Sequence, residues 1–396
     1  METRKELPTV LVIGNSFENW YDLCSPYKDL FIVEQATWDE ISLMSCSDVK
    51  FPYVTLGPSL NPNCERQKET RRIQPSLILI RMFSRYIGHR LGKVPDYRNI
   101  LYGFVHACVP MINSINAVLA ELEKPLMYGR LHYIEKLYGS DVFPLIKQYY
   151  YPEHAEMHCP PPAPFVLKVG FPHAGYGKIR VHDSEEFEDI KSIIAINNDY
   201  SAVEPLIDSE YELRIVYVAP DYYRVHKRIG FSSWKINFGM ASERQEIDMT
   251  PKYKKWVDLI VQHFPDMETF CIDAIVDKNG REYILEVNGS AQGFAPEHGI
   301  EDLQHLTQLV VRRVKEITEQ SNNEIIDESN EALEKEDKDV QIINLKNKIE
   351  HLQRIIKNSQ KITDNVQTDS PPKRKSYSNV FIVVFIILIF CLHLLI

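Results

Sequence analysis

No Cys-x-x-Cys pair occurs among the seven cysteines (Cys24, Cys46, Cys64, Cys108, Cys159, Cys271 and Cys391), and no long apolar run opens the chain at METRKELPTV. Without a secretory-type start or paired cysteines, the expectation is reduced thiols in a cytosolic body. An excess of positive charge is missing as well: 45 Lys and Arg stand against 55 Asp and Glu, a formal net charge of -10. That balance excludes a general electrostatic pull toward nucleic acid, so partners are to be sought at local sites. Nor does a Gly-x-Gly-x-x-Gly follow the first apolar stretch, which withdraws support from a dinucleotide fold. What is present is 396 residues with an apolar share ordinary for a globular chain, enough for two or three folded units.

The first of these is an open α/β layer. TVLVIG (Thr9 to Gly14), Leu30 to Val33 and LILIR (Leu77 to Arg81) read as strands, Tyr97 to Ala107 as a helix, and Val109 to Ser114 as a strand end, closing the unit near Asn116. Asn116 to Tyr138 is helical in pattern, with Leu119, Leu122, Leu126, Ile134 and Leu137 on recurring faces and an interruption at Pro125. Ser184 to Ile196 predicts a helix with Phe187, Ile190, Ile193 and Ile194 inward, and Pro251 to Phe264 an amphipathic helix. Tyr200 to Asp208, Glu212 to Val218 and Tyr222 to Ile229 read as strands.

Two stretches carry chemistry. FVLKVGFPHAGYGKIRV (Phe165 to Val181) sets two strand-like runs around Gly170, Gly175 and Gly177, either an ordinary hairpin or a flap whose N–H groups approach phosphate. Phe270 to Val276 and Glu282 to Asn288 flank DKNGR, where Asn279 and Gly280 suit a type I′ turn. That register faces Lys278 with Arg281 and Asp273 with Glu286. It also puts Cys271, Asp273, Ile275, Ile284, Glu286 and Asn288 on one face, and Ile272, Ala274, Val276, Tyr283, Leu285 and Val287 on the other. Opposed carboxylates need a cation or a shared proton, and with the Asn288 amide oxygen they supply hard ligands for Mg²⁺; the bland alternative is a solvated acidic edge.

The order of these parts resembles the ATP-grasp fold and, within it, the synapsins. The resemblance rests on LILIR, DYRN (Asp96 to Asn99), INSINAV (Ile112 to Val118), EKP (Glu123 to Pro125), VFPLI (Val142 to Ile146), YYPEHAEM (Tyr150 to Met157), KVGFPHAGYGK (Lys168 to Lys178), EPLID (Glu204 to Asp208), SSWKIN (Ser232 to Asn237), YKKWVD (Tyr253 to Asp258) and GREYILEV (Gly280 to Val287). It implies a pre-ATP-grasp α/β domain over residues 8–116 and an ATP-grasp domain over 117–318. By the same resemblance Lys124 and Lys168 meet nucleotide phosphates under the loop containing Gly175, Gly177 and Lys178. Glu204 to Ile207 line adenine, and Asp208 accepts from the ribose. Arg228 and Lys235 lie near the terminal phosphate, and Asp273, Glu286 and Asn288 hold Mg²⁺ or Ca²⁺. Asp273 stands where synapsins commonly have glutamate. The short amino-terminal kinase-site segment and the long proline-rich tail of familiar synapsins are not matched.

The carboxyl-terminal part is of a different kind. Residues 319–379 read as an acidic, polar linker in which Ile342, Leu345, Ile349, Leu352 and Ile356 form either a short coiled-coil seam or a lone amphipathic face. PPKRK (Pro371 to Lys375) precedes the apolar run Val380 to Ile396, which reads as a transmembrane tail anchor with the basic cluster on the cytosolic side; the alternative is a terminal core helix. The expectation is an ATP-binding, homo-oligomeric protein facing the cytosol on a vesicle or endomembrane, acting in vesicle clustering or regulated secretion with vesicle or cytoskeletal partners. The alternative is a carboxylate-amine ligase working through an acyl phosphate.

Overall fold

The computed structural model describes residues 7–15, 17–48, 52–58, 69–85, 96–158, 160–171, 176–197, 199–229, 243–295 and 298–366. Residues 1–320 form one compact unit and 321–396 a second. The first unit opens with β1 (Thr9–Ile13), α1 (Trp20–Cys24), β2 (Ile32–Ala36), β3 (Ile41–Met44), β4 (Tyr53–Leu56), β5 (Arg71–Ile73), β6 (Pro75–Ile80), α2 (Arg98–His106) and β7 (Met111–Ile112). The apolar runs at β1 and β6 are buried on both faces because they are inner strands of a parallel sheet in the order β2-β1-β6-β7, while β3, β4 and β5 form a small antiparallel sheet.

The stretch Asn116 to Tyr138 is two helices, α3 (Ile115–Glu121) and α4 (Lys124–Tyr138), rather than one interrupted helix. Pro125 lies in the first turn of α4, where its missing N–H has no bond to lose. The break shifts the helical phase. Met127, Leu131 and Ile134 become the buried stripe, and Leu126 and Leu137 are 55% and 51% exposed, against the expectation of a shared apolar face.

The middle of the chain is a four-stranded antiparallel sheet, β10-β9-β11-β8, built from β8 (Tyr149–Tyr151), β9 (Phe165–Val169), β10 (Lys178–Val181) and β11 (Ser201–Pro205). Helix α5 (Ser184–Asn197) packs on it through Phe187 and Ile194, but Ile193 is 62% exposed, because a helix face about 100° wide cannot hold adjacent residues 193 and 194 equally. A five-stranded antiparallel sheet follows, β14-β13-β12-β15-β16: β12 (Ser209–Val218), β13 (Tyr222–Ile229), β14 (Glu243–Ile247), β15 (Thr269–Asp277) and β16 (Glu282–Asn288). Helix α6 (Pro251–His263) closes one face of it with Trp256, Val257 and Ile260.

The β15–β16 connection differs from the expected turn. Gly280 has φ +77, and Asn279 is not among the positive-φ residues, so this is a type I turn with a glycine bulge instead of type I′. Gly280 donates its N–H to the Asp277 carbonyl at 2.9 Å, and the Asp277 carboxylate accepts from the backbone of Asn279 and Arg281. The register starts one residue off, with Val276 opposite Glu282, until a bulge at Leu285 restores Asp273 opposite Glu286. The faces change accordingly. Ile284 joins the core with Ile272, Ala274 and Val287, and Leu285 is the residue displaced from it.

Helix α7 (Gly299–Val366) begins in the first unit, where Leu306, Leu309, Val310 and Val314 pack with Val10, Val12, Leu77 and Leu79. In the second unit the described residues are helical to Val366 and include Ile342, Leu345, Ile349, Leu352 and Ile356 of the apolar seam; Ile342 is exposed. No helix among the described residues is long and apolar enough to cross a membrane, and Val380 to Ile396 lies outside them.

Candidate nucleotide-binding site

Three lysines from three elements converge on two acids, Glu204 of β11 and Glu286 of β16. Lys124 opens α4, Lys168 lies on β9, and Lys178 pairs with it in register across β10. Lys168 Nζ donates to Glu204 Oε1 at 2.5 Å, and Gln148 Nε2 donates to the same oxygen at 2.9 Å, so the Glu204 carboxylate, whose side chain is 3% exposed, is paired inside the fold. Lys124 Nζ lies 3.0 Å from Glu286 Oε2 and donates to Asn288 Oδ1 at 3.2 Å. A narrow cleft open to solvent lies among these groups, with Tyr128, Gly170 and Leu285 on its walls.

The flap's geometry follows from its glycines. Gly170 has φ +60, and a Cβ there would lie 2.2 Å from the Asp199 carboxylate; its N–H donates to Tyr200. Tyr200 in turn donates to Glu123 at 2.8 Å, fixing β11 against the start of α4. The position of Lys124 is thus set by the helix N-terminus, where backbone N–H groups also favour an anion.

The five-stranded sheet supplies the opposite wall. Reading across it in register, Glu246, His226, Arg214, Asp273 and Glu286 form a single row over all five strands. Arg214 Nη1 donates to Asp273 Oδ1 at 3.1 Å, and Asn288 Nδ2 donates to Asp273 Oδ2 at 2.9 Å. One row away, Arg228 donates to Glu212 at 3.2 Å. Burial alone would raise the Glu286 carboxyl, but Lys124, Lys178 and Lys168 hold it well below the usual carboxylate range. Asp273 moves the other way: burial raises it and Glu286 adds to the rise, against the pull of Arg214. Glu212 is pushed up to about 7, chiefly by burial. Burial works against charge on Lys178, yet Glu286, Glu204, Asp273 and Glu212 raise its pKa.

Among the described residues no three His, Cys, Asp or Glu side chains gather closely enough to hold a metal ion unaided. The donor set here is two carboxylates and one amide oxygen, which suits a hard divalent ion whose other positions go to phosphate and water. Lys124 pairs with Glu286 and Arg214 with Asp273, so each acid already faces a cation.

The structure therefore brings together Lys124, Lys168, Lys178, Glu204, Asp273, Glu286 and Asn288. It does not bring Asp208 to them: that side chain is exposed and pairs with Lys278 at 2.7 Å. Ile207 lines a second cleft, with Leu145, Ile146 and Tyr283. The Gly177 carbonyl accepts from the Val169 N–H, while Gly175 and Lys235 lie outside the described residues. Gln148, Tyr200, Arg214 and Leu285 are the participants the sequence reading missed. Only Arg214 had a readable signal, since Glu212 and Arg214 alternate with buried Leu213 and Ile215 on a central strand.

Two antiparallel sheets enclosing a lysine-lined cleft, behind an open parallel layer, define an ATP-grasp α/β protein. The macrocyclase MdnC from Microcystis aeruginosa MRC, solved with its precursor peptide MdnA, shares this fold at a TM-score of 0.50 and 15% identity, over 77% of this chain and 99% of that one. D-alanyl-alanine synthetase A from Vibrio cholerae O1 biovar eltor str. N16961 gives a TM-score of 0.48 at 14% identity, over 77% and 99%. Residues 113–316, a little over half the chain, match the family described as "Synapsin, ATP binding domain". The chain belongs to the synapsin family. It is 29% identical to Synapsin of Drosophila melanogaster over 289 residues, which is 72% of this chain but only 27% of that protein's length.

Proposed function

We propose that this protein binds ATP with a divalent ion, Mg²⁺ or Ca²⁺, in the cleft between the two antiparallel sheets, and that nucleotide occupancy sets its conformation or assembly. The observation that carries the reading is the convergence of Lys124, Lys168 and Lys178 on Glu286, which lines the cleft with Lys124 and Lys168 and stands opposite Asp273. Ammonium groups meet phosphate oxygens, and carboxylates hold the ion that bridges them. Asp273, Glu286 and Asn288 would hold that ion, which when bound neutralises charge on the phosphates. Leu285 offers an apolar surface for the base, and Arg228, facing the same sheet side as Glu212, adds a cation toward the terminal phosphate.

The finer reading is a synapsin-type protein held on the cytosolic face of a vesicle or endomembrane by Val380 to Ile396, self-associating, and acting in vesicle clustering or regulated secretion. Family membership and the apolar run after PPKRK support it. Thermal unfolding with and without ATP and Mg²⁺ tests the site: a raised melting temperature is expected, and Lys168→Ala or Glu286→Ala should abolish the rise. No rise in the intact protein would remove the reading. ADP release during incubation with carboxylate and amine pools would establish the ligase alternative instead.

A further inference from the structure

Helix α3 ends at Glu121, and the side chain of that residue braces two parts of the fold. Asn113 Nδ2 donates to Glu121 Oε1 at 3.3 Å, and the Gly289 backbone N–H donates to the same carboxylate. Asn113 is pinned in turn: its Oδ1 accepts from the Thr269 N–H at 2.8 Å, and its Nδ2 donates to the Thr269 carbonyl at 2.9 Å, at the first residue of β15. The carboxylate therefore ties the end of α3 to the start of β15 and to the residue directly after Asn288. The contact with Gly289 is close enough to require glycine. A Cβ there would lie 1.5 Å from Glu121 Oε1, and Gly289 is not among the positive-φ residues, so the carboxylate and not the backbone conformation sets the demand.

Only Leu122 and Glu123 separate Glu121 from Lys124, the first residue of α4. Lys124 Nζ donates to Asn288 Oδ1 at 3.2 Å and lies 3.0 Å from Glu286 Oε2, so the segments that meet at this lysine are the ones Glu121 joins. A phosphate that draws the ammonium to itself weakens the lysine's link to β16. The Glu121 brace runs through the Gly289 N–H and stays. Met127 and Leu131 of α4 share an apolar cluster with Val287 of β16, but such contacts are non-directional and let one element slide over another. A hydrogen bond weakens steeply with angle and so holds the spacing. An ionised carboxylate offers phosphate no donor, so whatever Glu121 does for a nucleotide passes through the segments it holds.

We propose that Glu121 is a positioning residue for the nucleotide site: by holding the α3–α4 elbow against Gly289 it sets the distance between the Lys124 ammonium and the end of β16, so that a phosphate meeting the lysine arrives within reach of Glu286 and Asn288. This rests on the reading that the cleft binds ATP with a divalent ion. Gly289 is the matching half of the device, since its missing side chain is the space the carboxylate fills.

The test is calorimetric titration of the full-length protein with a non-hydrolysable ATP analogue and Mg²⁺, on variants shown by circular dichroism to be folded. Glu121→Ala removes the brace and should weaken binding about tenfold, the worth of one hydrogen bond at about 1.4 kcal/mol. Gly289→Ala displaces the carboxylate and should cost as much in the wild-type background, yet add less than about twofold to Glu121→Ala, because both substitutions break one contact. Glu121→Gln keeps an acceptor oxygen at the same reach and should recover most of the affinity. A carboxylate serving stability alone would lower the melting temperature and leave the affinity of the folded protein unchanged. That result overturns the proposal, as do fully additive losses or a Glu121→Gln variant as weak as Glu121→Ala. Should Glu121→Ala not fold, Gly289→Ala decides by itself: weaker binding supports the brace, and unchanged affinity overturns it. No binding by the wild type defeats the underlying reading, whereas binding that the variants leave intact defeats only the role of Glu121.

Discussion

Removing the Lys168 ammonium while keeping its length, as in Lys168→Met, should unfold the protein more readily even with no ligand present. Glu204 is 3% exposed and Lys168 11%, so water screens the pair weakly. Breaking a buried pair by removing one partner costs about 3–5 kcal/mol, because the other charge is left uncompensated. The Gln148 bond to Glu204 survives and offsets part of that, on the order of 1.5 kcal/mol for a hydrogen bond to a charged group, leaving a net loss of about 1.5–3.5 kcal/mol. Urea unfolding followed by tryptophan fluorescence measures it. The double variant Lys168→Met/Glu204→Gln should recover most of the loss, since the amide needs no counter-charge, yet neither variant should bind nucleotide. A single variant within 0.5 kcal/mol of wild type, on the order of the usual surface-substitution scatter, would refute the reasoning. So would a double variant no more stable than the single.

Further outcomes follow from other parts of the fold. Glu121 is pushed up to about 7 from 4.5, first by burial, so its contribution to stability is full below pH 4.5 and is lost as pH rises through 7. Glu121→Gln should flatten that fall of about 1–3 kcal/mol, read from unfolding free energies at pH 5 and pH 8. Gly280→Ala meets open space but a φ of +77, so a loss of about 1 kcal/mol is expected; Gly170→Ala adds a contact with Asp199 and should cost more. A fluorescent fusion lacking Val380 to Ile396 should lose its membrane signal, and unchanged localisation would count against the anchor.

Much of the architecture was legible because its signals are local. The parallel strands read as continuous apolar runs, and α6 kept its 3.6-residue period from end to end. The opposition of Asp273 and Glu286 was also foreseen, but through two compensating slips. The turn is one residue out of the expected register, and the bulge at Leu285 takes that residue back. Strict period-two alternation contains no bulge, so it puts Ile284 and Leu285 on the opposite faces from those they occupy. The phase break between α3 and α4 was hidden similarly, since Pro125 marks a helix start as readily as an interruption. Gln148 and Tyr200 were beyond reach for another reason: each acts through a partner remote in sequence, Glu204 and Glu123, which only the fold brings near.

The start of α7 has a practical consequence for anyone dissecting this chain. Leu306, Leu309 and Val310 share their apolar cluster with Val10, Val12, Leu77 and Leu79, and Val218 of β12 belongs to it as well. A fragment beginning at Ala117, or one ending before Leu306, would leave a large part of that cluster facing water and should precipitate or swell. Soluble pieces for binding work should therefore run from the first strand at least through Ile317, so that the two remote ends of the folded body keep covering each other.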